Sequence, residues 1–196
     1  MFTGIISDIG EVVSTEPNAG GKRIVMRVPW KDLPAGASVA CNGVCMTAAE
    51  VKDGTMMVQA SSETLTCTTL GEWRSGFRVN LERPMKIGDE LGGHLVYGHV
   101  DATVKVVERW DQNEETRLFF ETTPMYSRFI SSKGSVSIDG VSLTVNKVQG
   151  PYFWITVIPY TRDHTTLHQL DVGGRANMEV DRLARMLARL MTDRTL

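Results

Sequence analysis

Two side chains that could act as nucleophiles, Cys45 and Ser142, lie at matching positions of two similar segments. The segments Gly36–Thr47 and Lys133–Thr144 are 97 residues apart, and five of their twelve positions are identical. A thiol or hydroxyl there could add to an electrophilic carbon, or polarise a water molecule that does so. A free cysteine is also often an inert core residue, so the residues alone leave both roles open for Cys45.

His99 is the natural candidate for acid–base chemistry, because imidazole titrates close to neutral pH. At the same offset of 97 it matches Phe2. A single histidine in a strand is often structural, and this alternative also stays open. His94 lies nearby, but no cysteine or carboxylate at ligand spacing completes a metal site, so we expect no bound metal.

The internal similarity continues beyond the nucleophiles. Chance would give roughly one identity in sixteen positions for ordinary composition, so a fixed offset over separated blocks indicates two copies of one fold. Two copies predict two similar pockets. The further matches are Thr64 with Thr161, Thr68–Leu70 with Thr165–Leu167, and Gly76, Arg78, Asn80 and Glu82 with Gly173, Arg175, Asn177 and Glu179.

Each copy consists of short segments rich in β-branched residues, separated by turn pairs such as Asn42-Gly43 and Asp53-Gly54. Five or six strands per copy predict an all-β protein of two tandem six-stranded Greek-key β-barrels. We expect the first barrel at residues 1–86, a linker at 87–97, the second barrel at 98–181 and a C-terminal α-helix at 182–196.

The predicted C-terminal helix is amphipathic. Its apolar residues follow the helical repeat and form one stripe. This stripe could pack on its own barrel or form a contact between subunits. The residues of the stripe are Leu183, Met186, Leu187, Leu190 and Met191.

The composition excludes several classes of protein. The 196 residues carry a formal net charge of −2, which argues against nucleic acid or an anionic membrane as a main partner, because both require a basic patch. The apolar runs are shorter than the roughly 20 residues of a membrane span, and the N-terminus does not resemble a signal peptide. Three cysteines favour a reduced cytoplasmic protein over a disulfide framework.

Four motifs together resemble the riboflavin synthase family: Met1–Ile5, Cys41–Thr47, Gly92–His99 and Asp139–Val145. The resemblance implies a homotrimer formed through the C-terminal helix, with each active site between the N-barrel of one subunit and the C-barrel of a neighbour. It implies that two molecules of 6,7-dimethyl-8-ribityllumazine give riboflavin and 5-amino-6-ribitylaminopyrimidinedione by transfer of a four-carbon unit, without a cofactor. Some relatives also associate with lumazine synthase.

The resemblance also assigns roles to residues of both copies. Cys45, Ser142, His99 and Phe2 are the implied catalytic residues, and His99 would accept the proton that leaves the C7 methyl group. Asp181 is implied to lie near a substrate at the trimer interface, although its position also suits a helix N-cap. The implied substrate-binding residues are Thr3, Gly4, Ser38, Gly43, Thr47, Ala60, Ser61, Thr64, Lys133, Gly140, Thr144, Val157, Ile158, Thr161 and Asp181.

Three other functions compete with this one. Antenna proteins of luminous bacteria share the resemblance but hold a lumazine or flavin as a fluorophore, and the retention of Ser142, Thr144 and Lys133 in the second copy argues against that role. A flavin-dependent oxidoreductase would need a nucleotide-binding domain, and no G-x-G-x-x-G motif follows a strand. A purely structural repeat gives no reason for reactive side chains at matched positions. The residues are compatible with a covalent or a hydride-transfer mechanism.

Overall fold

The strands fall into two groups, one in each half of the chain. The structure, a computed structural model, describes residues 1–192. The first half contains β1 (Asp8–Asn18), β2 (Gly21–Arg27), β3 (Ser38–Cys41), β4 (Val44–Thr47), β5 (Glu50–Lys52), β6 (Thr55–Ser61), α1 (Ser62–Cys67), a 3-10 helix (Thr69–Glu72) and β7 (Arg78–Glu82). The second half contains β8 (Ala102–Gln112), β9 (Glu115–Glu121), α2 (Pro124–Ser127), β10 (Ser135–Ile138), β11 (Val141–Gln149), β12 (Tyr152–Val157), α3 (Pro159–His164), a 3-10 helix (Thr166–Gln169), β13 (Arg175–Val180) and α4 (Arg182–Thr192).

The second half closes into the predicted six-stranded barrel, in the order β10-β11-β12-β9-β8-β13. Because β9 lies beside β12 instead of β10, the order is that of a Greek key. The first half forms a seven-stranded sheet in the order β4-β3-β7-β1-β2-β6-β5. The predicted fold class is therefore confirmed, and the first half has one strand more because the chain equivalent to β11 is divided into β4 and β5.

The seventh strand arises from a break at Ala48 and Ala49. The Ala48 N–H donates to Ala37 O at 2.8 Å, whereas the Ala49 N–H donates to Met57 O in β6 at 2.9 Å. The chain thus changes its hydrogen-bonding neighbour at this point, and β4 and β5 are separated. The equivalent chain in the second half remains one strand, β11, whose register shifts after Val145.

Each half has its own hydrophobic core. Side chains alternate along the strands, so that Ile24 and Met26 of β2, like Leu118 and Phe120 of β9, are fully buried. This period of two directs one face of every strand into the barrel. Burial of such a side chain stabilises the fold by about 1.5–3 kcal/mol.

Two asparagines join the halves through reciprocal hydrogen bonds. The Asn80 side-chain amide donates to Asp139 O at 2.9 Å, and the Asn177 amide donates to Asn42 O at 2.9 Å. Each asparagine Oδ1 also accepts a backbone N–H from the other half, at 2.7 and 2.8 Å respectively. Donors and acceptors are exchanged between equivalent residues, so the contact has approximate twofold symmetry.

Gly43 and Gly140 meet at the same contact. A Cβ atom on Gly43 would lie 2.7 Å from Gly140 N, and one on Gly140 would lie 2.7 Å from Gly43 N. Both glycines are buried and have positive φ angles, of 76° and 82°. They therefore pack the two halves against each other, and the expectation that their backbone groups also contact substrate stays a prediction.

The apolar stripe of α4 does not pack on its own barrel. Its five large apolar side chains are 49–73% exposed, so that alternative is wrong and the subunit contact remains a prediction. Asp181 Oδ1 accepts the Leu183 N–H at 2.9 Å, which confirms the N-cap. Residues 193–196 of the predicted helix lie outside the described residues. None of the helices formed by residues 1–192 has the length and apolar character that a membrane crossing requires.

Candidate active site

The first candidate site begins with Cys45 and Thr47 on β4. Their neighbours Val44 and Met46 are buried in the core, so the alternation of the strand turns Cys45 and Thr47 away from it. Cys45 is half-buried and Thr47 is exposed. A thiol and a hydroxyl thus share one accessible face.

The end of β6 adds further hydroxyl groups beside this strand. β4 and β6 are in contact, and Ser61 at the end of β6 caps α1. Its Oγ accepts the Thr64 N–H at 3.1 Å and lies 3.0 Å from Thr64 Oγ1. Ala60 is buried and faces the core. Of these three predicted binding residues, Ser61 and Thr64 therefore have side chains that a ligand can reach.

The second candidate site repeats this arrangement with different side chains. Ser142 and Thr144 face away from the core on β11 and are half-buried and exposed, respectively. Val157 is fully buried at the end of β12, whereas Ile158 is 52% exposed. Ile158 stands where the first half has Ser61, and α3 has no side-chain cap there. Thr161 of α3 is half-buried.

Ser38 and Lys133 lie at the edges of the two sites. Ser38 is directly opposite Thr47 in the β3–β4 ladder. Lys133 is exposed, and its backbone N–H donates to Val145 O at 2.8 Å. Its φ angle of 67° is unusual for a residue with a side chain.

Two segments, Met1–Ile5 and Leu95–His99, cross between the halves, and each lies against the nucleophile of the opposite half. We call them the crossing segments. Gly4 O accepts the Ser142 N–H at 2.8 Å, and Gly98 O accepts the Cys45 N–H at 2.8 Å. A Cβ atom on Gly4 would lie 2.6 Å from Ser142 Cβ, and one on Gly98 would lie 2.5 Å from Cys45 Cβ. Only glycine allows each segment to approach the opposite nucleophile so closely.

This crossing corrects the predicted match between Phe2 and His99. Phe2 and Val96 form an antiparallel bridge, with N–H to O distances of 2.7 and 3.0 Å. Because Gly4 is equivalent to Gly98, the offset here is 94, and Phe2 is equivalent to Val96. The offset becomes 97 after the second strand, because the loop 122–134 has thirteen residues and the loop 28–37 has ten.

Phe2 lies in a buried cluster beside one of the nucleophiles. Its side chain is 0% exposed and packs with Ala40, Val96 and the partly buried Cys45. The phenyl ring therefore supports the position of Cys45 by packing, and a catalytic role for Phe2 stays a prediction. Thr3 is also buried, and its N–H and hydroxyl donate to Glu82 Oε1 at 2.6 and 2.8 Å.

His94, which the sequence interpretation set aside, lies against Ser142. Its Nδ1 is 2.7 Å from Ser142 Oγ. Burial lowers the pKa of His94, and the carboxylate of Asp181 partly opposes this shift. A neutral imidazole at this distance can accept the hydroxyl proton. The Gly92-Gly93 pair before His94 is a signal that the sequence does contain. It marks a close backbone approach, because a Cβ atom on Gly93 would lie 2.1 Å from Thr3 O.

His99 lies beside the first site, next to Gly98. Its ring is exposed, its centroid is 6.3 Å from that of Tyr97, and its backbone N–H donates to Glu179 Oε2 at 2.9 Å. It lines a cavity of about 90 Å³ together with Arg182 of the C-terminal helix. The ring is thus accessible, as an acid–base group must be.

Comparison with known proteins identifies the family. The lumazine binding domain family matches residues 3–84 and 97–181. Riboflavin synthase from Brucella abortus is 41% identical over 97% of this chain and 98% of its own length. The enzyme from Mycobacterium bovis is 42% identical with the same coverage, and that from Escherichia coli is 36% identical over 92% of this chain and 87% of its own length.

Solved structures agree with this fold. LumP complexed with riboflavin aligns with a TM-score of 0.86 at 21% identity and covers 92% of this chain and 100% of its own. LumP complexed with 6,7-dimethyl-8-(1'-D-ribityl) lumazine aligns with a TM-score of 0.84 at 20% identity and covers 92% of this chain. The fold is shared with the LumP structures, whereas the extensive sequence identity is to riboflavin synthases. The chain therefore belongs to the riboflavin synthase family and contains two lumazine-binding domains in tandem.

Proposed function

We propose that the chain catalyses the dismutation of two 6,7-dimethyl-8-ribityllumazine molecules into riboflavin and 5-amino-6-ribitylaminopyrimidinedione, the last step of riboflavin biosynthesis. The observation that carries the proposal is a pair of equivalent sites with different nucleophiles, Cys45 in one and Ser142 in the other. One substrate molecule donates a four-carbon unit and the other accepts it. The exchange is balanced between the two molecules, so this transferase reaction needs no cofactor.

The duplication of the lumazine-binding domain serves a reaction between two identical molecules. Each lumazine binds to one kind of barrel, with the first and second barrels of neighbouring subunits facing each other. Holding both reactants replaces about 7–11 kcal/mol of activation free energy that random encounter would require. The hydroxyl groups of Thr47 and Thr144 hydrogen-bond the ring in the two sites, and Lys133 contacts the ribityl chain.

Ser142 and His94 provide acid–base chemistry in the second site. The short contact between Ser142 Oγ and His94 Nδ1, together with the lowered pKa of His94, keeps an acceptor for the hydroxyl proton at neutral pH. Ser142 can then add to the lumazine ring or polarise a water molecule that adds.

Cys45 has the corresponding position in the first site. Its half-buried thiol can add to the ring or polarise a water molecule. His99, exposed beside it, accepts the proton from the C7 methyl group of a bound lumazine. Both the covalent route and the hydride-transfer route place these groups at the reacting ring.

The proposed assembly is a cytoplasmic homotrimer. The exposed apolar stripe of α4 supports a contact between subunits, and the three free cysteines suit a reducing compartment. Leu187→Glu in the stripe should dissociate the trimer, as measured by analytical ultracentrifugation, whereas Ile87→Glu on the exposed linker should not. Association with lumazine synthase is a separate proposal, which co-sedimentation of the two purified proteins tests.

Anaerobic incubation of the purified protein with 6,7-dimethyl-8-ribityllumazine, without added cofactor, tests the proposed reaction. Chromatography should show one riboflavin and one pyrimidinedione for every two lumazines consumed. Tight binding with lasting lumazine fluorescence and no riboflavin would contradict the proposal and indicate an antenna protein.

A further inference from the structure

Two buried carboxylates hold the crossing segments in place. Glu82 of β7 is 5% exposed, and its two oxygens accept the N–H groups of Thr3 and Gly4 at 2.6 and 3.0 Å. Glu179 of β13 is also 5% exposed, and its oxygens accept the N–H groups of Tyr97 and His99 at 2.8 and 2.9 Å. Glu82 thus holds the amide of Gly4 and that of the residue before it. Glu179 holds the amides of the residues before and after Gly98.

Each crossing segment donates its anchoring hydrogen bonds to a glutamate of one half and binds the backbone of the nucleophile in the other half. Glu82 belongs to the first half, but the Gly4 carbonyl that it helps to position binds Ser142 in the second. Glu179 belongs to the second half, but Gly98, in the segment that it holds, binds Cys45 in the first. Each nucleophile is therefore contacted by a segment that a carboxylate of the opposite half holds.

Burial of a carboxylate requires an explanation, because it costs free energy unless hydrogen bonds compensate. Burial raises the pKa of Glu82 and of Glu179, and in each case the backbone N–H groups oppose the shift. Among the ion pairs of residues 1–192, none involves either glutamate. The backbone of the crossing segment is thus the principal partner of both carboxylates, at equivalent positions of the repeat.

We propose that Glu82 and Glu179 are positioning residues, each of which controls the geometry of the nucleophile in the other half. Glu82 sets the Ser142–His94 pair, and Glu179 sets the environment of Cys45. The consequence for catalysis rests on the proposed function, whereas the control of geometry does not. In this role each substitution mainly affects the nucleophile of the other half, whereas simple stabilisation would affect both nucleophiles alike. Two independent probes can detect this crossed pattern.

The first probe is the reactivity of Cys45 toward iodoacetamide. Cys67→Ser removes the exposed thiol, and Cys41 is buried with a raised pKa, so alkylation reports Cys45. In this background Glu179→Gln should increase the alkylation rate at least about tenfold, because hydrogen bonds to a charged group are lost and the segment loosens. Glu82→Gln, a matched control of equal burial, should increase the rate several-fold less, because the segment that it holds packs Phe2 beside Cys45 but does not bind the Cys45 backbone.

The second probe is the titration of His94, followed by NMR. Glu82→Gln should move its midpoint upward toward the ordinary value of 6.5, because a loosened segment admits water to the Ser142–His94 pair. Glu179→Gln should move the midpoint less, because the amides that it holds begin three residues after His94 and do not contact Ser142. Neither probe requires turnover, so the crossed pattern can hold even where no riboflavin forms, and failure of the proposed function is separately visible.

Thermal unfolding of both variants provides the comparison with a merely structural role. If both substitutions move both probes in proportion to the stability lost, the proposal is overturned. Should either Gln variant fail to fold, Glu82→Asp and Glu179→Asp keep the charge but shorten its reach. Those variants should show the same crossed pattern more weakly, and its absence would overturn the proposal. Where both Gln variants fold, recovery toward wild-type values in the Asp variants supports the proposal.

Discussion

The Cys45 site and the Ser142 site have the same backbone arrangement but different side chains around the nucleophile. Both nucleophiles donate a backbone N–H to a crossing glycine at 2.8 Å. Ser142 is paired with the half-buried His94 at 2.7 Å, whereas Cys45 packs against Phe2, Ala40 and Val96. The common frame positions two identical substrates, and the different surroundings allow them to react differently.

Removal of the nucleophiles gives the largest expected effect on this comparison. Cys45→Ala and Ser142→Ala should each lower kcat at least about 100-fold, the usual scale for a positioned catalytic group. Neither side chain is fully buried, so thermal stability should change little. Steady-state kinetics and calorimetry measure the two effects, with Cys45→Ser and Ser142→Cys as controls that keep a nucleophile. Loss of the fold with normal residual specific activity would contradict the assigned role.

The contact between the halves can be broken without touching either nucleophile. Gly43→Ala would place a Cβ 2.7 Å from Gly140 N, and the φ angle of 76° adds strain. We expect a loss of about 3 kcal/mol in the free energy of unfolding, from overpacking and backbone strain together. Gly36→Ala is the matched control, because Gly36 has a φ angle of 86° but no neighbour within 4 Å, and should lose about 1 kcal/mol. Urea unfolding measures the free energy of unfolding of both variants. Equal losses would show that the close contact of Gly43 with Gly140 adds no overpacking cost.

A charge difference at the same contact can be tested by pH. Asn42 and Asp139 are equivalent, and each accepts a backbone N–H, at 2.6 and 2.8 Å. Burial raises the pKa of Asp139 from 3.8 to about 7. The folded state therefore holds this proton more tightly, so the stability from this group is present at low pH and lost as the pH rises through about 7.

Asp139→Asn should remove this dependence. At pH 8 the variant should be more stable than the wild type by about 4 kcal/mol, because it avoids a buried charge, and below about pH 4, where Asp139 is protonated in both the folded and the unfolded state, the two should be similar. Asn42→Asp should create the same dependence in the first half. Unfolding at several pH values measures both, and a wild-type stability that does not fall between pH 5 and 8 would contradict the assignment.

Lys133 gives the smallest expected effect. It has a φ angle of 67° where the first half has Gly36, so Lys133→Gly should stabilise the fold by about 0.5–1 kcal/mol. If Lys133 contacts the ribityl chain, the KM for lumazine should rise while kcat stays nearly constant. Lys133→Ala keeps the backbone strain and removes the side chain beyond Cβ, including the ammonium group. An unchanged KM in both variants would remove Lys133 from the binding residues.

The sequence predicted the elements that repeat and missed those that cross. The match of Cys45 with Ser142 revealed the duplicated barrel, because strands of one fold keep their pattern of buried residues. The crossing segments Met1–Ile5 and Leu95–His99 share only the glycines Gly4 and Gly98 at equivalent positions. Their register depends on backbone hydrogen bonds between distant parts of the chain, which leave no pattern of residue types.

His94 and the strand break at Ala48 could not be predicted for related reasons. His94 becomes a partner of Ser142 only because the crossing segments bring residues 48 positions apart together. The break depends on which neighbouring strand each backbone N–H meets, and alanine suits either neighbour. Asp181 was predictable as a cap, because that role depends on local geometry alone.

The reciprocal bonds of Asn80 and Asn177 have the chemistry of an isologous dimer interface, in which one surface recognises a copy of itself. Two separate, identical barrels could form this interface, but each would present the same nucleophile to its substrate. Fusion into one chain lifts that constraint, because each copy can then mutate alone. Cys45 with Ser142, and Asn42 with Asp139, show that the two copies have diverged within a symmetric frame. Covalent linkage thus allows symmetry of recognition to coexist with asymmetry of reaction.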